Sequence, residues 1–399
     1  MKMNTEGDTN GNMDDIMQKQ INEWFDKEDR VLPILKELIR FRSVNPPGNE
    51  HSLAVFICEW LADRGFDVTV QRVEEGRSNI IANFGCSGHI GMILNGHLDV
   101  VPAAGEWRYP PFEATLENGK IYGRGTADMK GGIAAMMAAA EFISTFRLAG
   151  SKKLSLVFVC DEESGNKGMR RYVADRITAD AAIIGEPTQL EIHTGHRGFM
   201  NIKITAYGIS CHSSHPENGI NAIYIMSDII QNLKKYQEHL KSRKDKYLGN
   251  ATISVGTIKG GIKVNIVPDE CTIEMERRLL PGETREEIIN ELKTWINCSE
   301  EVIEIETLPE LKASGSKPDS VLVRDLSLLI QKSFGKAPMV KAFPAGCEAS
   351  FFTEELNIPA VIFGPGSLEQ AHRSDEWVCE KQLRKAAKIY SGISLKYTK

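Results

Sequence analysis

Imidazole and carboxylate side chains follow four apolar runs of this sequence, at the points where the runs end. The side chains that come after residues 92–94, 154–160, 181–184 and 361–363 are His97 and Asp99, Glu162 and Glu163, Glu186, and His372. Because ligands of an open α/β sheet collect outside the carboxyl ends of its strands, we expect these groups to meet at one edge. Asp128, in the glycine-rich loop 122–132, adds a further carboxylate.

So many carboxylates in one place require a cation, since close unpaired carboxylates repel one another and raise each other's pKa. Two imidazoles with several carboxylates suit zinc or a similar ion better than calcium or magnesium. Five ligands are too many for one tetrahedral zinc but suit two ions that share a carboxylate. The candidate ligands are His97, Asp128, Glu163, Glu186 and His372.

Residues next to these ligands are expected to orient a metal-binding histidine or to act as a general base. Asp99 lies two residues after His97, on the same side of an extended chain, and we expect its carboxylate to accept a hydrogen bond from the other ring nitrogen of His97. Glu162 and Glu163 are adjacent and point in different directions. One of them can therefore bind metal while the other acts as a general base.

Two patterns of secondary structure must position these groups. The uninterrupted apolar runs are typical of strands covered on both faces, which predicts a largely parallel α/β sheet. A helical pattern occupies residues 16–40 with an interruption near Pro33, and residues 1–13 have no apolar period, which predicts an irregular lead. Between residues 199 and 308 the strands alternate in polarity and the order is β-α-β-β-α-β, a ferredoxin-like unit inserted into the larger domain.

Composition excludes several classes of protein. With 399 residues and a mass of 44.4 kDa, the chain is long enough for two or three domains. Its formal net charge of −6 offers no broad cationic face, so we expect no nucleic-acid partner. No apolar stretch is long enough for a membrane span or a signal peptide. The 8 cysteines are scattered singly, which predicts reduced thiols and a cytoplasmic protein.

Several motifs together resemble the M20 metallopeptidase family, the amidohydrolases of the acetylornithine deacetylase and succinyl-diaminopimelate desuccinylase type. They are SVNPPGNE at 43–50, GHLDVVP at 96–102, GRGTADMKGG at 123–132, DEESG at 161–165, GEPT at 185–188, and GPG at 364–366 followed by His372. Each is weak alone, but the set covers most of the chain in the family's order.

The resemblance implies roles for these residues. Two divalent metal ions per chain are implied, zinc first, with cobalt and manganese as alternatives. His97 and Glu186 would hold one ion, Glu163 and His372 the other, and Asp128 would bridge them. Glu162 would be the general base, and the peptide bond between Asp128 and Met129 is often cis in the family.

The inserted domain has implied roles as well. Family members usually dimerise through it, which here means residues 199–310, and His212 matches a histidine that reaches the partner's active site and donates to the oxyanion. Arg278, Asn265 and Gly346 match substrate contacts, although strand alternation alone leaves open whether Arg277 or Arg278 faces the site. The stretch GCEA at 346–349 departs from the usual GTDA, which puts Glu348 in place of an aspartate.

These observations predict a mainly parallel α/β di-metal catalytic domain over residues 14–198 and 311–399, with an inserted ferredoxin-like dimerisation (lid) domain over 199–310. The predicted activity is metal-dependent hydrolysis of the amide bond in a small N-acyl amino acid or related N-acyl amine, within amino-acid metabolism. Two alternatives remain open: a dipeptidase or carboxypeptidase of the same family, and a metal-binding dimeric scaffold without catalysis.

Overall fold

The computed structural model describes residues 8–86, 88–148, 150–299 and 301–399. The α-helices are α1 (Asp8–Lys27), α2 (Val31–Arg40), α3 (His51–Ala62), α4 (Lys130–Thr145), α5 (Lys167–Val173), α6 (Ala222–Leu240), α7 (Arg285–Ile296), α8 (Val321–Phe334) and α9 (Glu380–Thr398). Among these described residues, no helix is both long and apolar enough to cross a lipid bilayer.

The strands are β1 (Asp67–Glu74), β2 (Arg77–Phe84), β3 (Ile90–His97), β4 (Thr115–Glu117), β5 (Lys120–Tyr122), β6 (Lys153–Val159), β7 (Ala179–Ile184), β8 (Ile192–His196), β9 (Gly198–Tyr207), β10 (Lys244–Asp245), β11 (Gly249–Asn250), β12 (Thr252–Gly260), β13 (Glu270–Leu279), β14 (Ile303–Leu311), β15 (Ser314–Gly315), β16 (Val340–Phe343), β17 (Ala360–Ile362) and β18 (Trp377–Cys379).

The chain forms two compact units. The first comprises Met1–Gly195, Ser316–Lys341 and Cys347–Lys399, and the second comprises His196–Gly315 and Ala342–Gly346. The insertion predicted at 199–310 lies inside the first segment of the second unit. The short segment 342–346 has no sequence signal of its own, because its assignment depends on contacts made far along the chain.

The sheet of the first unit has the strand order β1-β2-β6-β3-β7-β17-β8. Its centre is parallel, since β3 pairs in parallel with β6 and β7, and β17 pairs in parallel with β7. The pairs β1–β2, β2–β6 and β17–β8 are antiparallel, so the sheet is mixed. The predicted α/β class is confirmed, and the predicted parallel pairing holds for the four central strands. The sequence pattern did not reveal β1, because half of its side chains are exposed and only one is buried.

Helix α4 packs closely against this sheet because its first half is built from small residues. Residues 130–140 are all buried, and most of them are glycine or alanine. A Cβ atom at Gly132 would lie 2.3 Å from the carbonyl oxygen of Gly185, so only glycine permits this approach. The contact brings the start of α4, next to Asp128, against the end of β7, next to Glu186.

Two sequence predictions for the first helices need correction. Residues 8–13 belong to the first turns of α1, whereas the irregular lead was predicted to run to residue 13; residues 1–7 lie outside the described residues. Buried Ile21 and Phe25 anchor α1, and propagating an existing helix costs far less than starting one. The predicted break at Pro33 lies earlier, at residues 28–30, because Pro33 fits the first turn of α2 and Asp29 accepts hydrogen bonds from the amides of Val31 and Leu32.

The second unit has the predicted β-α-β-β-α-β order, formed by β9, α6, β12, β13, α7 and β14. Its antiparallel sheet has the strand order β12-β13-β9-β14. Buried and half-buried side chains alternate along β9 and β13, so one face of the sheet forms a core with α6 and α7. Strand β12 is an edge strand.

Candidate active site

Three parallel strands of the first unit place their polar ends side by side. His97, the last residue of β3, pairs with Val159 at the end of β6, and Asn95 pairs with Ile184 at the end of β7. Glu162 and Glu163 follow β6 within a few residues, and Glu186 follows β7. The register of the sheet therefore gathers these side chains at one edge, as the strand-end rule predicts.

Asp128 lies between the two histidines. Its Oδ1 atom is 3.1 Å from Nε2 of His97, and its Oδ2 atom is 3.3 Å from Nε2 of His372. Each histidine also faces one glutamate: Nε2 of His97 is 3.7 Å from Glu186, and Nε2 of His372 is 3.1 Å from Glu163. The five side chains thus form two sets that share Asp128. The Asp128–Met129 peptide bond is cis.

A second cluster consists of three carboxylates. One oxygen each of Glu162, Glu186 and Glu348 lies within 4.8 Å of the other two. Glu348 is completely buried, and neither of its carboxylate oxygens has a hydrogen-bond partner among the described residues. Its departure from the family's aspartate was visible in the sequence, but its contact with Glu162 and Glu186 was not.

Burial raises the pKa values of glutamates in both groups of side chains. Burial raises the pKa of Glu162 and of Glu186 well above the ordinary glutamate value, and it raises the pKa of Glu348 to about 7. Burial disfavours a charge on His97, but its hydrogen bond with Asp128 and the surrounding carboxylates raise its pKa overall. The ionised carboxylates therefore need positive charge that the imidazoles supply only when they are protonated.

Divalent cations fit this donor set. In each of the two sets an imidazole nitrogen and carboxylate oxygens converge on one region, which is the ligand chemistry of zinc and similar borderline ions. The ligand atoms of His97, Asp128 and Glu163 lie within 4.8 Å of one another. A bound dication would remove the cost of burying the anionic form, because it is the largest charge near these groups.

The hydrogen-bond contacts of the Asp99 side chain differ from the predicted ones. Nδ1 of His97 lies 2.9 Å from the backbone carbonyl oxygen of Asp99 and 3.7 Å from its carboxylate. The carboxylate of Asp99 instead accepts hydrogen bonds from the backbone amides of Glu162 and Glu163, each at 3.1 Å, and from Asn45 at 2.9 Å. Three donors outweigh one, so Asp99 positions the turn that carries Glu162 and Glu163.

A buried ion-pair network holds Asp161, the residue at the start of the same turn. Arg77 donates to both carboxylate oxygens of Glu50, at 2.9 and 2.5 Å, and its Nη1 lies 2.7 Å from Asp161. Asn45 donates to Asp161 at 3.1 Å as well as to Asp99. These contacts link the motif at 43–50 to the residue that precedes Glu162. The sequence showed the motif but not its target.

Glu376, which sequence reasoning missed, holds the loop of Asp128. Its carboxylate accepts hydrogen bonds from the backbone amides of Gly125, Ala127 and Asp128, at 3.0, 2.8 and 3.1 Å, and from Arg124 at 2.5 Å. Glu376 is fully buried. A glutamate four residues after His372 has no pattern that separates it from a surface residue, so only the fold identifies its role.

Replacing Glu376 by glutamine is expected to weaken metal binding by about tenfold to a hundredfold, as is typical when a group that orients metal ligands is changed. Glutamine puts an NH2 group where the carboxylate accepted hydrogen bonds, so the loop of Asp128 loses its fixed position. Competition with a chelator measures the affinity. Glu369→Gln, an exposed change in the same region, is the control, and equal affinities in both variants would contradict the assignment.

In the second unit, His212 and Asn265 lie on neighbouring segments. His212 forms an isolated antiparallel bridge with Ile266, and the amide of Ser213 donates to the carbonyl oxygen of Asn265 at 3.1 Å. The side chain of His212 is exposed, with Nδ1 2.7 Å from the hydroxyl oxygen of Ser214. The Oδ1 atom of Asn265 is buried without a hydrogen-bond partner in the described part of the chain.

The structure distinguishes the two arginines of β13. Arg277 is fully buried and forms an ion pair with Glu283 at 2.7 Å, within the second unit. Arg278 points to the other face of the sheet, is about one third exposed, and lies 2.7 Å from Glu276. Arg278 is therefore the arginine that is accessible to a ligand. At Gly346 a Cβ atom would lie 2.6 Å from Cδ2 of Leu311, so a larger residue there would require the leucine side chain to move.

Comparisons with known proteins agree with this geometry. The profile of peptidase family M20/M25/M40 matches residues 93–396. The acetylornithine deacetylase of Proteus mirabilis is 33% identical over 341 residues, which cover 83% of this chain and 86% of that protein. An M20 family metallo-carboxypeptidase from Sulfolobus solfataricus superposes with a TM-score of 0.76 at 21% identity, covering 93% of this chain and 100% of that one. A dinuclear metal-binding M20 peptidase from Bacillus subtilis gives 0.69 at 15% identity, covering 92% and 97%.

Proposed function

The chain belongs to peptidase family M20/M25/M40, and from that premise we propose that it removes the acyl group from a small N-acyl amino acid or related N-acyl amine. Membership makes it a metal-dependent hydrolase. The observation that carries the finer proposal is the similarity to acetylornithine deacetylase over most of both chains. The carboxylate of Glu162, which belongs to neither of the two histidine–carboxylate sets that share Asp128, supports it. We place the enzyme in the cytoplasm and in amino-acid metabolism.

Two divalent cations would be held by the two ligand sets. We propose His97 and Glu186 for one ion, Glu163 and His372 for the other, and Asp128 for both, with zinc as the first candidate and cobalt or manganese as alternatives. When bound, such ions polarise an amide carbonyl and make water more acidic. The contact of each Asp128 oxygen with a different histidine supports this division.

The side chains of this protein would move the proton. Glu162 is part of neither ligand set, and its carboxylate takes a proton from the attacking water. It then returns that proton to the amine nitrogen as the carbon–nitrogen bond breaks, so one residue serves as base and then as acid. Asp99, through the amides of Glu162 and Glu163, keeps this carboxylate in place.

The second unit would contribute to substrate binding. Arg278 is the accessible arginine of β13, and a guanidinium fits the carboxylate of an amino-acid substrate in bidentate fashion. By the family resemblance, His212 donates a hydrogen bond to the oxyanion in the partner subunit's active site, and Asn265 and Gly346 complete the substrate contacts. These roles are proposals for the described side chains and rest on the resemblance.

We propose that two chains associate through the second unit. Strand β12 is a sheet edge, and exposed apolar side chains surround it, including Ile262 at 88% and Val264 at 99% exposure. An exposed edge with apolar neighbours is a surface that proteins normally cover. A second copy of the same unit can cover it symmetrically.

The double substitution Ile262→Glu/Val264→Glu is expected to convert the dimer into monomers. Charges at these positions would have to be buried on association, while the monomer, in which both side chains are exposed, should unfold at an unchanged temperature. Light scattering after gel filtration measures the mass. Leu328→Glu, in the exposed part of α8, is the control. A variant that stays dimeric would show that the interface lies elsewhere.

The substrate proposal is tested with a panel of N-acetyl, N-succinyl and N-formyl amino acids and dipeptides. The assays use the purified enzyme loaded in turn with zinc, cobalt or manganese. We expect kcat/KM for the best N-acyl amino acid to exceed that for the best dipeptide by at least about tenfold. The reverse order would make the chain a peptidase, and no turnover of any member would favour a scaffold without catalysis.

A further inference from the structure

Glu348 is a buried carboxylate that the proposed reaction does not use. Its exposure is 0%, and both of its oxygens lack a hydrogen-bond partner among the residues described. A buried carboxylate without a hydrogen-bond donor destabilises the folded protein more than an apolar group of the same shape would, because the carboxylate loses its hydration without compensation. Such a side chain therefore indicates that a donor binds there.

The geometry of its cluster defines the donor. One oxygen each of Glu348, Glu162 and Glu186 lies within 4.8 Å of the other two. A single atom placed at the centre of three such points is no more than about 2.8 Å from each, so one nitrogen can reach all three oxygens at the distance of a charge-assisted N–H···O bond. An ammonium group has three N–H donors and no acceptor, so its chemistry matches three carboxylates.

The proposed reaction generates an ammonium group at this place. Glu162 carries one proton of the water to the amine nitrogen as the carbon–nitrogen bond breaks, and the carboxylic acid that forms gives up the other, so at neutral pH the products are a carboxylate and an ammonium group. The new charge forms beside Glu162 and therefore within the cluster. Water supplies the oxygen and both protons, so no further reactant is needed.

We infer that Glu348 accepts a hydrogen bond from the nitrogen of the leaving amine and binds it as an ammonium product. This inference rests on the proposed deacylation and adds to it a residue that recognises the amine. It predicts that the enzyme distinguishes its amine product from the same molecule without that amino group.

The test compares two ligands on the metal-loaded enzyme by calorimetry. L-ornithine is the amine product of N2-acetyl-L-ornithine, and 5-aminopentanoate is the same molecule without the α-amino group. We expect the wild-type enzyme to bind L-ornithine at least about tenfold more tightly than 5-aminopentanoate. Glu348→Gln should lose about tenfold in L-ornithine affinity and change 5-aminopentanoate affinity by less than about twofold. Glu354→Gln, an exposed change nearby, is the control.

Three results would overturn the inference. If Glu348→Gln binds both ligands as the wild type does, Glu348 is a protonated structural acid, which glutamine imitates. If the variant contains one metal ion fewer than the wild type, the cluster holds a cation instead of an amine. If the wild type binds both ligands equally, no amine is recognised. Turnover of N2-acetyl-L-ornithine by the wild type is measured separately, so failure of the proposed function is recognised independently of these binding results.

Discussion

Glu162→Gln is expected to lower kcat by about a hundredfold to ten-thousandfold, the usual contribution of a general acid–base group. Glutamine has nearly the same shape as glutamate but cannot take a proton from water or return one to the amine nitrogen. An amine is a poor leaving group unless it is protonated, so both halves of the reaction should suffer. Steady-state kinetics on the best substrate of the panel measures the loss.

The metal content of this variant separates chemistry from structure. Glu162 belongs to neither ligand set that shares Asp128, so the variant should keep the wild-type metal stoichiometry and a KM within about threefold of the wild type. Glu75→Gln, an exposed substitution in the turn between β1 and β2, should leave kcat unchanged. A Glu162→Gln variant with full metal content and wild-type kcat would falsify the assignment of the general base.

Removing the metal is expected to abolish activity and to destabilise the first unit. Without a cation, Glu162, Glu163 and Glu186 face one another in a buried site, where their mutual repulsion and their lost hydration favour unfolding. A ligand present at a thousand times its Kd contributes about 4 kcal/mol of stability per site, so the melting temperature should fall measurably on chelation. Elemental analysis, activity and thermal unfolding are followed together as metal is removed and returned.

The substitution Asp128→Ala tests the same metal requirement by removing a ligand instead of the metal. It removes a carboxylate that contacts both histidines, so the enzyme should bind less than about one ion in place of two and lose at least about a thousandfold in kcat/KM. Added zinc, cobalt or manganese should restore the chelated wild type but not this variant. A chelated wild-type enzyme that contains no transition metal and still hydrolyses its substrate would rule out the metal mechanism.

Much of the fold could be predicted because its signals are local. The apolar runs that became β3, β6, β7 and β17 are continuous in sequence, and the alternation of β9 and β13 shows which of their faces is buried. The edge strand β1 escaped prediction because only one of its side chains is buried and half of them are exposed. The early residues of α1 escaped because their helix depends on packing by Ile21 and Phe25 further along.

The candidate site also has a part that the sequence predicts and a part that only the tertiary structure shows. The sequence by itself determined which side chains meet, since parallel strands that end at one edge must bring His97, Glu163 and Glu186 together whatever surrounds them. Only the tertiary structure decided what the supporting carboxylates do. The carboxylate of Asp99 accepts hydrogen bonds from backbone amides that follow another strand, and Glu348 joins the cluster without a hydrogen-bond donor among the described residues. The direction of a carboxylate depends on donors far away in sequence, and no local pattern records where those donors lie.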